Sequence, residues 1–329
     1  MSNEAHPYEA LTPDVMLNAV ETFGVRCDGS FLALNSYENR VYQVGLEDGD
    51  YVVVKFYRPG RWAQDSILEE HAFAAELESY EIPVVAPLMD ASGCTLRESA
   101  GFQLAIYPRR GGRTPELDQP DTRQWLGRFL GRIHAVGAVG RFEHRPGLDI
   151  DTFGYGPRAY LADSDVVPAD VRDSFFAAVD EALERVAMVF ETAGPLHQIR
   201  LHGDCHPNNI LWTPAGPHFV DLDDCRTGPA VQDLWMWLSG DREEREIQLR
   251  DILIGYNEFH YFDVGQLYVI EALRTLRLIH YSAWLARRWS DPAFPLSFPW
   301  FASPRYWEEQ INTLRDQWEQ LVEPPLSYH

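Results

Sequence analysis

The spacing of apolar residues divides the chain into a strand-rich first third and a helix-rich remainder. Residues 12–24 (TPDVMLNAVETFG) read as a short helix, with Thr12 as cap, Pro13 in the first turn and Gly24 as stop. Strand-like runs follow: FLALNSYENRVYQVGLE, then DYVVVKFYRP after the EDGD turn, a hairpin signature. Residues 64–80 (QDSILEEHAFAAELESY) return to helical spacing, with Ile67, Ala74 and Leu77 on one stripe. Glu70 falls on that same stripe, and a carboxylate buried there needs a cation, for which Lys55 is the candidate. Two more strands are expected around Val84–Leu88 and Gly101–Tyr107, before Pro108 and the RRGGR run break the pattern.

Beyond that break the 3.6-residue period dominates. Residues 121–136 place Trp125, Leu126, Phe129, Leu130 and Ile133 on one face, and Gly127 and Gly131 would let another element approach closely. Residues 168–193 give one long helix or a helix pair. The stretch QIRLHGDCHPNNILWTPAGPHFVDLDD reads strand, loop, strand, turn, strand. Gln232 to Leu321 is mainly helical, with an aromatic-rich loop at DPAFPLSFPWFASP, and Ile270, Leu273, Leu276/Arg277, Tyr281 and Trp284 form an expected core stripe. The pattern is α+β in two lobes. Residues 1–107 hold about five strands and one helix, and residues 108–329 are mostly helical.

The 329 residues suffice for two cores. With 45% hydrophobic and 24% charged residues, the composition is that of a folded chain rather than a disordered one. The formal net charge of -22 repels phosphate backbones and anionic lipid heads, so neither nucleic acid nor a membrane is an expected partner. A nucleotide then needs cations and backbone N–H groups gathered locally. Cys27, Cys94, Cys205 and Cys225 form no CxxC pair, which suits reduced thiols in a cytoplasmic protein. The N-terminus has no basic start with an apolar stretch, and no run of about 20 apolar residues occurs, so no secretory signal or membrane span is expected. A monomer is the expected state.

Candidate chemistry concentrates in two places. The first is His202-Gly203-Asp204-Cys205-His206-Pro207-Asn208-Asn209, followed by Phe219-Val220-Asp221-Leu222-Asp223-Asp224. Phosphoryl transfer needs an aligned hydroxyl, charge neutralisation and a metal bridging phosphate oxygens. One Asp near the hydroxyl, with an Asn and an Asp as hard oxygen ligands for Mg²⁺, meets that need with less mutual repulsion than three carboxylates. The HxxCH run lacks the ligand spacing of a zinc site. The second place is Lys55, at the end of three valines.

These motifs resemble the HGDxHxxN and (I/V)DxxD signatures of the aminoglycoside-phosphotransferase and choline-kinase-like group, a branch of the protein-kinase superfamily. LNSYENRVYQV, VVKFYRP, ILEEH, GPAVQDLW, LIHYSAWLARRWSDPAFP and EPPL extend the likeness over most of the chain, to a bacterial serine/threonine protein kinase of that group acting in stress response. The resemblance implies a protein-kinase-like fold, ATP and Mg²⁺ as cofactors, and a protein serine/threonine hydroxyl as acceptor. Asp204 then matches the hydroxyl-orienting base, and Asn209 and Asp221 match the metal ligands. Lys55 matches the lysine on the nucleotide phosphates, Glu70 (with Glu69 as alternative) its partner, and Ser36 the loop over the phosphates. The strand Ala105–Tyr107, with Ile106, matches the adenine contact, and Asp233 the residue bracing the catalytic loop. Three features depart from the protein-kinase pattern: NSYENR replaces a GxGxxG loop, DLD replaces DFG, and no APE-like stretch occurs. A small-molecule hydroxyl kinase and a nucleotide-binding pseudokinase module are the alternatives. The second of these predicts loss of Lys55, Asp204, Asn209 or Asp221, and none is lost.

Overall fold

The computed structural model describes residues 6–328, whose contacts divide into two compact units. The first runs up to Pro115 and adds Glu143–Arg145 and Pro207–Cys225. The second comprises Glu116–Phe142, Pro146–His206 and the chain from Arg226. Residues 108–115 and two further segments from beyond the 107/108 position thus group with the strand-rich unit.

The first unit opens with α1 (Pro13–Glu21), β1 (Cys27–Ala33), β2 (Arg40–Leu46) and β3 (Tyr51–Phe56), then α2 (Gln64–Ser79), β4 (Arg97–Ser99) and β5 (Phe102–Pro108). The five strands form one antiparallel sheet in the order β1-β2-β3-β5-β4. Thr12 caps α1 through its hydroxyl, and Gly24, at φ 84°, takes the left-handed conformation that ends it. Met16, Ala19, Val20 and Phe23, at helical spacing, pack on Val44, Val54, Phe56, Leu104 and Ile106 of the sheet. Each of the larger side chains contributes about 1.5–3 kcal/mol by leaving water. Strand alternation sends Ala105 to the other face, with Tyr57 and Ile67 of α2. Two helices, not one, therefore flank the sheet.

The expected strand at Val84–Leu88 is reduced to a bridge between Val84 and Phe219 and a bond from Leu88 N–H to the Ile106 carbonyl at 2.7 Å. Pro83 and Pro87 remove two of the donors a regular strand would use. The fifth strand is instead β4, three residues with no apolar pattern to announce it.

The remaining elements, in chain order, are α3 (Pro120–Gly137), α4 (Gly156–Asp163), α5 (Arg172–Ala193), β6 (Gln198–Leu201), β7 (Ile210–Thr213), β8 (Gly216–Phe219), β9 (Arg226–Pro229), α6 (Gln232–Trp235), α7 (Arg242–Tyr256), α8 (Ile270–Arg287), α9 (Ala293–Ser297) and α10 (Pro304–Gln320). The β7–β8 hairpin belongs to the first unit, and the others to the second. Residues 172–193 are one helix. Gly127 and Gly131 of α3 do admit a close neighbour: a Cβ on Gly127 would lie 2.1 Å from the Ile252 carbonyl oxygen of α7, and one on Gly131 2.5 Å from that of Tyr256. On α8, Leu273 and Leu276 are core, but Arg277 is only half-buried and Tyr281 is 38% exposed. The expected core stripe on α8 is thus corrected: Ile279, Ala283 and Ala286 continue the buried face, and Tyr281 and Trp284 lie outside it. Among the described residues no helix is long and apolar enough to cross a membrane.

Candidate active site

Lys55 sits on β3 between Val41 of β2 and Ala105 of β5, so its side chain leaves the middle of the sheet on the α2 face. An ammonium that is 94% buried there requires anions, and three carboxylates supply them. Its Nζ lies 3.1 Å from Glu70 Oε1, 3.2 Å from Asp221 Oδ1 and 3.1 Å from Asp223 Oδ1. Burial alone would lower the lysine pKa, but Asp223 and Glu70 hold it well above the ordinary value. The charge is therefore fixed at any working pH.

Each buried carboxylate has a second cation. Arg145, fully buried, places Nη2 2.9 Å from Glu70 Oε2 and donates to the carbonyls of Ser66 and Asp223 at 2.9 and 2.6 Å. The segment carrying it is pinned by Glu69, whose carboxylate accepts the N–H groups of Glu143, His144 and Arg145 at 2.6, 2.8 and 3.0 Å. Glu70 is thus the partner of Lys55, and Glu69 has a separate task. Burial pushes the Glu70 carboxyl up against the pull of Lys55. For Asp223 the balance is reversed: burial would raise it, but Arg61 and Lys55 hold it below the carboxylate range. Arg61 pairs with both Asp223 and Asp224, the latter at 2.8 Å. Both acids are engaged by protein cations, Asp223 by Lys55 and Arg61, and Asp224 by Arg61.

The hairpin brings Asn209 and Asp221 together. Ile210 pairs with Phe219, and one step outward the Asn209 carbonyl accepts the Val220 N–H at 3.0 Å. Asn209 and Asp221 therefore flank the open end of one two-stranded ribbon, despite standing 12 positions apart in the sequence. Asp221 takes φ 61° in the left-handed region, which Asp tolerates better than most residues, and its side chain is 52% exposed. An amide oxygen and a half-exposed carboxylate are hard donors of the kind magnesium takes alongside phosphate oxygens and water. Among the described residues no group of three or more His, Cys, Asp or Glu is arranged around a metal, and a site of one or two protein oxygens does not need one.

Ser36 donates to the Asn39 carbonyl at 3.2 Å within the NSYENR turn. Asn39 is buried, and its side-chain oxygen accepts the Arg58 N–H at 3.0 Å, while Glu38 pairs with Arg58 and Arg61. One network of charges thus runs from the turn through Arg61 to Asp223 and Lys55. Ile106 stands apart. It pairs with Val54, points into the α1 core and is 3% exposed. Ala105, opposite Lys55 in the ladder, shares the lysine's face, whereas the Ile106 side chain lies on the opposite one.

In the second unit the loop after β6 is held from α6. Asp233, fully buried, accepts the N–H groups of His202 and Gly203 at 2.7 and 2.8 Å and contacts His134 Nε2 at 3.1 Å. The Gln232 amide donates to the Gly203 carbonyl, and the Trp237 indole to that of Cys205. Gly203, at φ 87°, makes the turn this requires. Asp233 braces the loop as expected. Asp204 emerges from it with 23% side-chain exposure, its Oδ1 2.7 Å from Arg277 Nη1 and its Oδ2 3.4 Å from His206 Nε2. Cys205 and Cys225 are buried, and burial raises the Cys205 thiol well above its usual pKa, which opposes thiolate chemistry. Arg61 and Arg145 are the contributors the sequence did not assign. No periodicity marks an arginine's partner.

The profile of the phosphotransferase enzyme family (APH) matches residues 30–268. The chain is 46% identical to stress response kinase A of Escherichia coli (strain K12) over 326 residues, 99% of this chain and 98% of that protein. It is 45% identical to a protein of Salmonella typhimurium named serine/threonine protein kinase RdoA, with the same coverage. Among solved structures, amicoumacin kinase hAmiN in complex with AMP-PNP, Ca²⁺ and Ami superposes with a TM-score of 0.69 at 19% identity, covering 91% of this chain and 94% of that one. That likeness is one of fold, which is two-lobed and protein-kinase-like.

Proposed function

The chain belongs to the phosphotransferase enzyme family, and we propose that it moves the γ-phosphoryl group of ATP onto serine or threonine hydroxyls of protein acceptors in a stress response. The observation that carries this reading is the convergence of Glu70, Asp221 and Asp223 on Lys55 Nζ. A central-strand lysine kept charged by three acids, one of them half exposed, is equipped to contact nucleotide phosphates. Serine/threonine acceptors are favoured by the name of a relative matched over nearly the whole chain.

Lys55 binds the α- and β-phosphates, and the Ser36 turn covers them. The adenine lies on the Lys55 face of the sheet, against Ala105 rather than the Ile106 side chain. Asn209 and Asp221 hold magnesium, which when bound neutralises phosphate charge. Asp204 orients the acceptor hydroxyl and takes its proton as that oxygen bonds to the γ-phosphorus. The bond to the bridging oxygen breaks, and ADP leaves. Asp233, by fixing two N–H groups of the loop, keeps the Asp204 carboxylate aimed. A cytoplasmic monomer suits this role.

The test is phosphotransfer from labelled ATP to generic protein acceptors and, in parallel, to a panel of amino alcohols. Label on serine or threonine is the expected result. Label confined to small alcohols would replace the acceptor class with that of a small-molecule kinase.

A further inference from the structure

We propose that Arg61 is a positioning residue for the nucleotide: by holding one oxygen of Asp223, it keeps that acid from turning both oxygens to Lys55 and so leaves the ammonium free to meet the phosphates. The proposal rests on the reading of Lys55 as the phosphate contact.

The Asp223 carboxylate is divided between two cations. Its Oδ1 lies 3.1 Å from Lys55 Nζ, its Oδ2 pairs with Arg61 Nη1, and the side chain is 4% exposed. At that burial little water reaches an oxygen that loses its cation. A carboxylate released by Arg61 therefore turns to the cation it already touches, which is Lys55. The other two acids on Lys55 are placed differently. Glu70 has its second oxygen bound by Arg145, and Asp221 is half exposed, with water at hand. Asp223 is thus the acid whose grip on the lysine depends on Arg61.

The same guanidinium spans two further acids. It lies in the segment between β3 and α2, with its side chain 11% exposed, Nη2 2.8 Å from Asp224 Oδ1 and Nη1 3.5 Å from Glu38 Oε2. A planar fork reaches three carboxylates at once, which a lysine ammonium does not reproduce. Glu38 belongs to the NSYENR turn that carries Ser36, and it also takes Arg58 Nε at 3.0 Å. Arg61 accordingly holds Asp223 from the side of that turn, away from Lys55.

The experiment measures ADP affinity by calorimetry in EDTA, where no metal contributes, beside kcat and KM for ATP with Mg²⁺. Arg61→Gln is expected to weaken ADP by about tenfold or more, the scale of one charge-assisted hydrogen bond, with the larger part of its kinetic loss in KM for ATP. Arg61→Lys is expected to lose less. Adding Asp223→Asn to Arg61→Gln is expected to return ADP affinity to within about threefold of wild type, because the acid and its restraint are removed together. Should Arg61→Gln not fold alone, the same rescue is read on Arg61→Lys. Wild-type ADP affinity in the Arg61 variants would overturn the proposal. So would a loss that Asp223→Asn leaves in place, which would assign the guanidinium to the phosphates themselves or to the fold alone. Wild-type ADP affinity in Lys55→Met would instead sink the underlying reading of Lys55, whatever the Arg61 variants do.

Discussion

Arg145→Met removes a guanidinium that is fully buried and fills most of its volume, so the loss is electrostatic rather than steric. Four acceptors lose a donor: Glu70 Oε2 at 2.9 Å, the Asp223 carbonyl at 2.6 Å, the Ser66 carbonyl at 2.9 Å and the Cys225 carbonyl at 3.5 Å. Breaking a buried ion pair from one side costs about 3–5 kcal/mol. Against a total of about 5–15 kcal/mol, that is a large fraction of the stability. At about 2–4 °C per kcal/mol for a chain of this size, the melting temperature falls by roughly 6–20 °C. The deficit also depends on pH, with a definite sign. Burial already raises Glu70, and losing Arg145 raises it further. A carboxyl with a raised folded-state pKa is most compatible with folding when protonated, so the stability it allows is lost as pH rises through that value. The gap to wild type therefore widens as pH rises above the ordinary carboxylate range. Urea titrations at several pH values measure it, and Arg145→Lys, which keeps the charge without the fork, recovers part. A variant within about 0.5 kcal/mol of wild type at neutral pH would refute the reasoning, because changes that small belong to featureless surface sites.

His71 is buried against the Tyr57 hydroxyl and Thr95, and burial pushes its pKa down to about 3. Its stabilising contribution is complete above the usual histidine value and is lost as pH falls from there toward 3, at up to about 1.4 kcal/mol per pH unit. His71→Gln should flatten the acid limb of the melting-temperature profile, and an unchanged limb would place the titrating group elsewhere. Gly127→Ala sets a Cβ 2.1 Å from a backbone oxygen that has no rotamer to yield. It should destabilise by about 1–3 kcal/mol or more despite alanine's higher helix propensity, as read by urea unfolding. Gly111→Ala, with nothing within 4 Å, should be near neutral.

What the sequence made legible was periodic or tightly spaced. Glu70 stood out because it broke an apolar stripe, and Gly127 and Gly131 because they recur on one helix face. Asp204, Asn209 and Asp221 stood out because their spacing matches a chemical need. What it hid was the choice of partner across long separations. Nothing local couples Arg145 to Glu70, Arg61 to Asp223 or Arg277 to Asp204. The face each β5 side chain takes turns on the period of two: a single step along the strand separates Ala105, on the Lys55 face, from Ile106, on the α1 face. Likewise, Tyr281 and Trp284 are apolar at core-like spacing, but the buried face of α8 is rotated away from them.

The central claim is that Asp204 handles the acceptor hydroxyl, whereas the charges around Lys55 handle the nucleotide. It is tested most directly by phosphotransfer and ATP affinity measured side by side for Asp204→Asn. The account predicts a fall in turnover of about 10²–10⁴-fold, the usual weight of a positioned acid–base group, with ATP affinity retained. Near-wild-type turnover in that variant would contradict it.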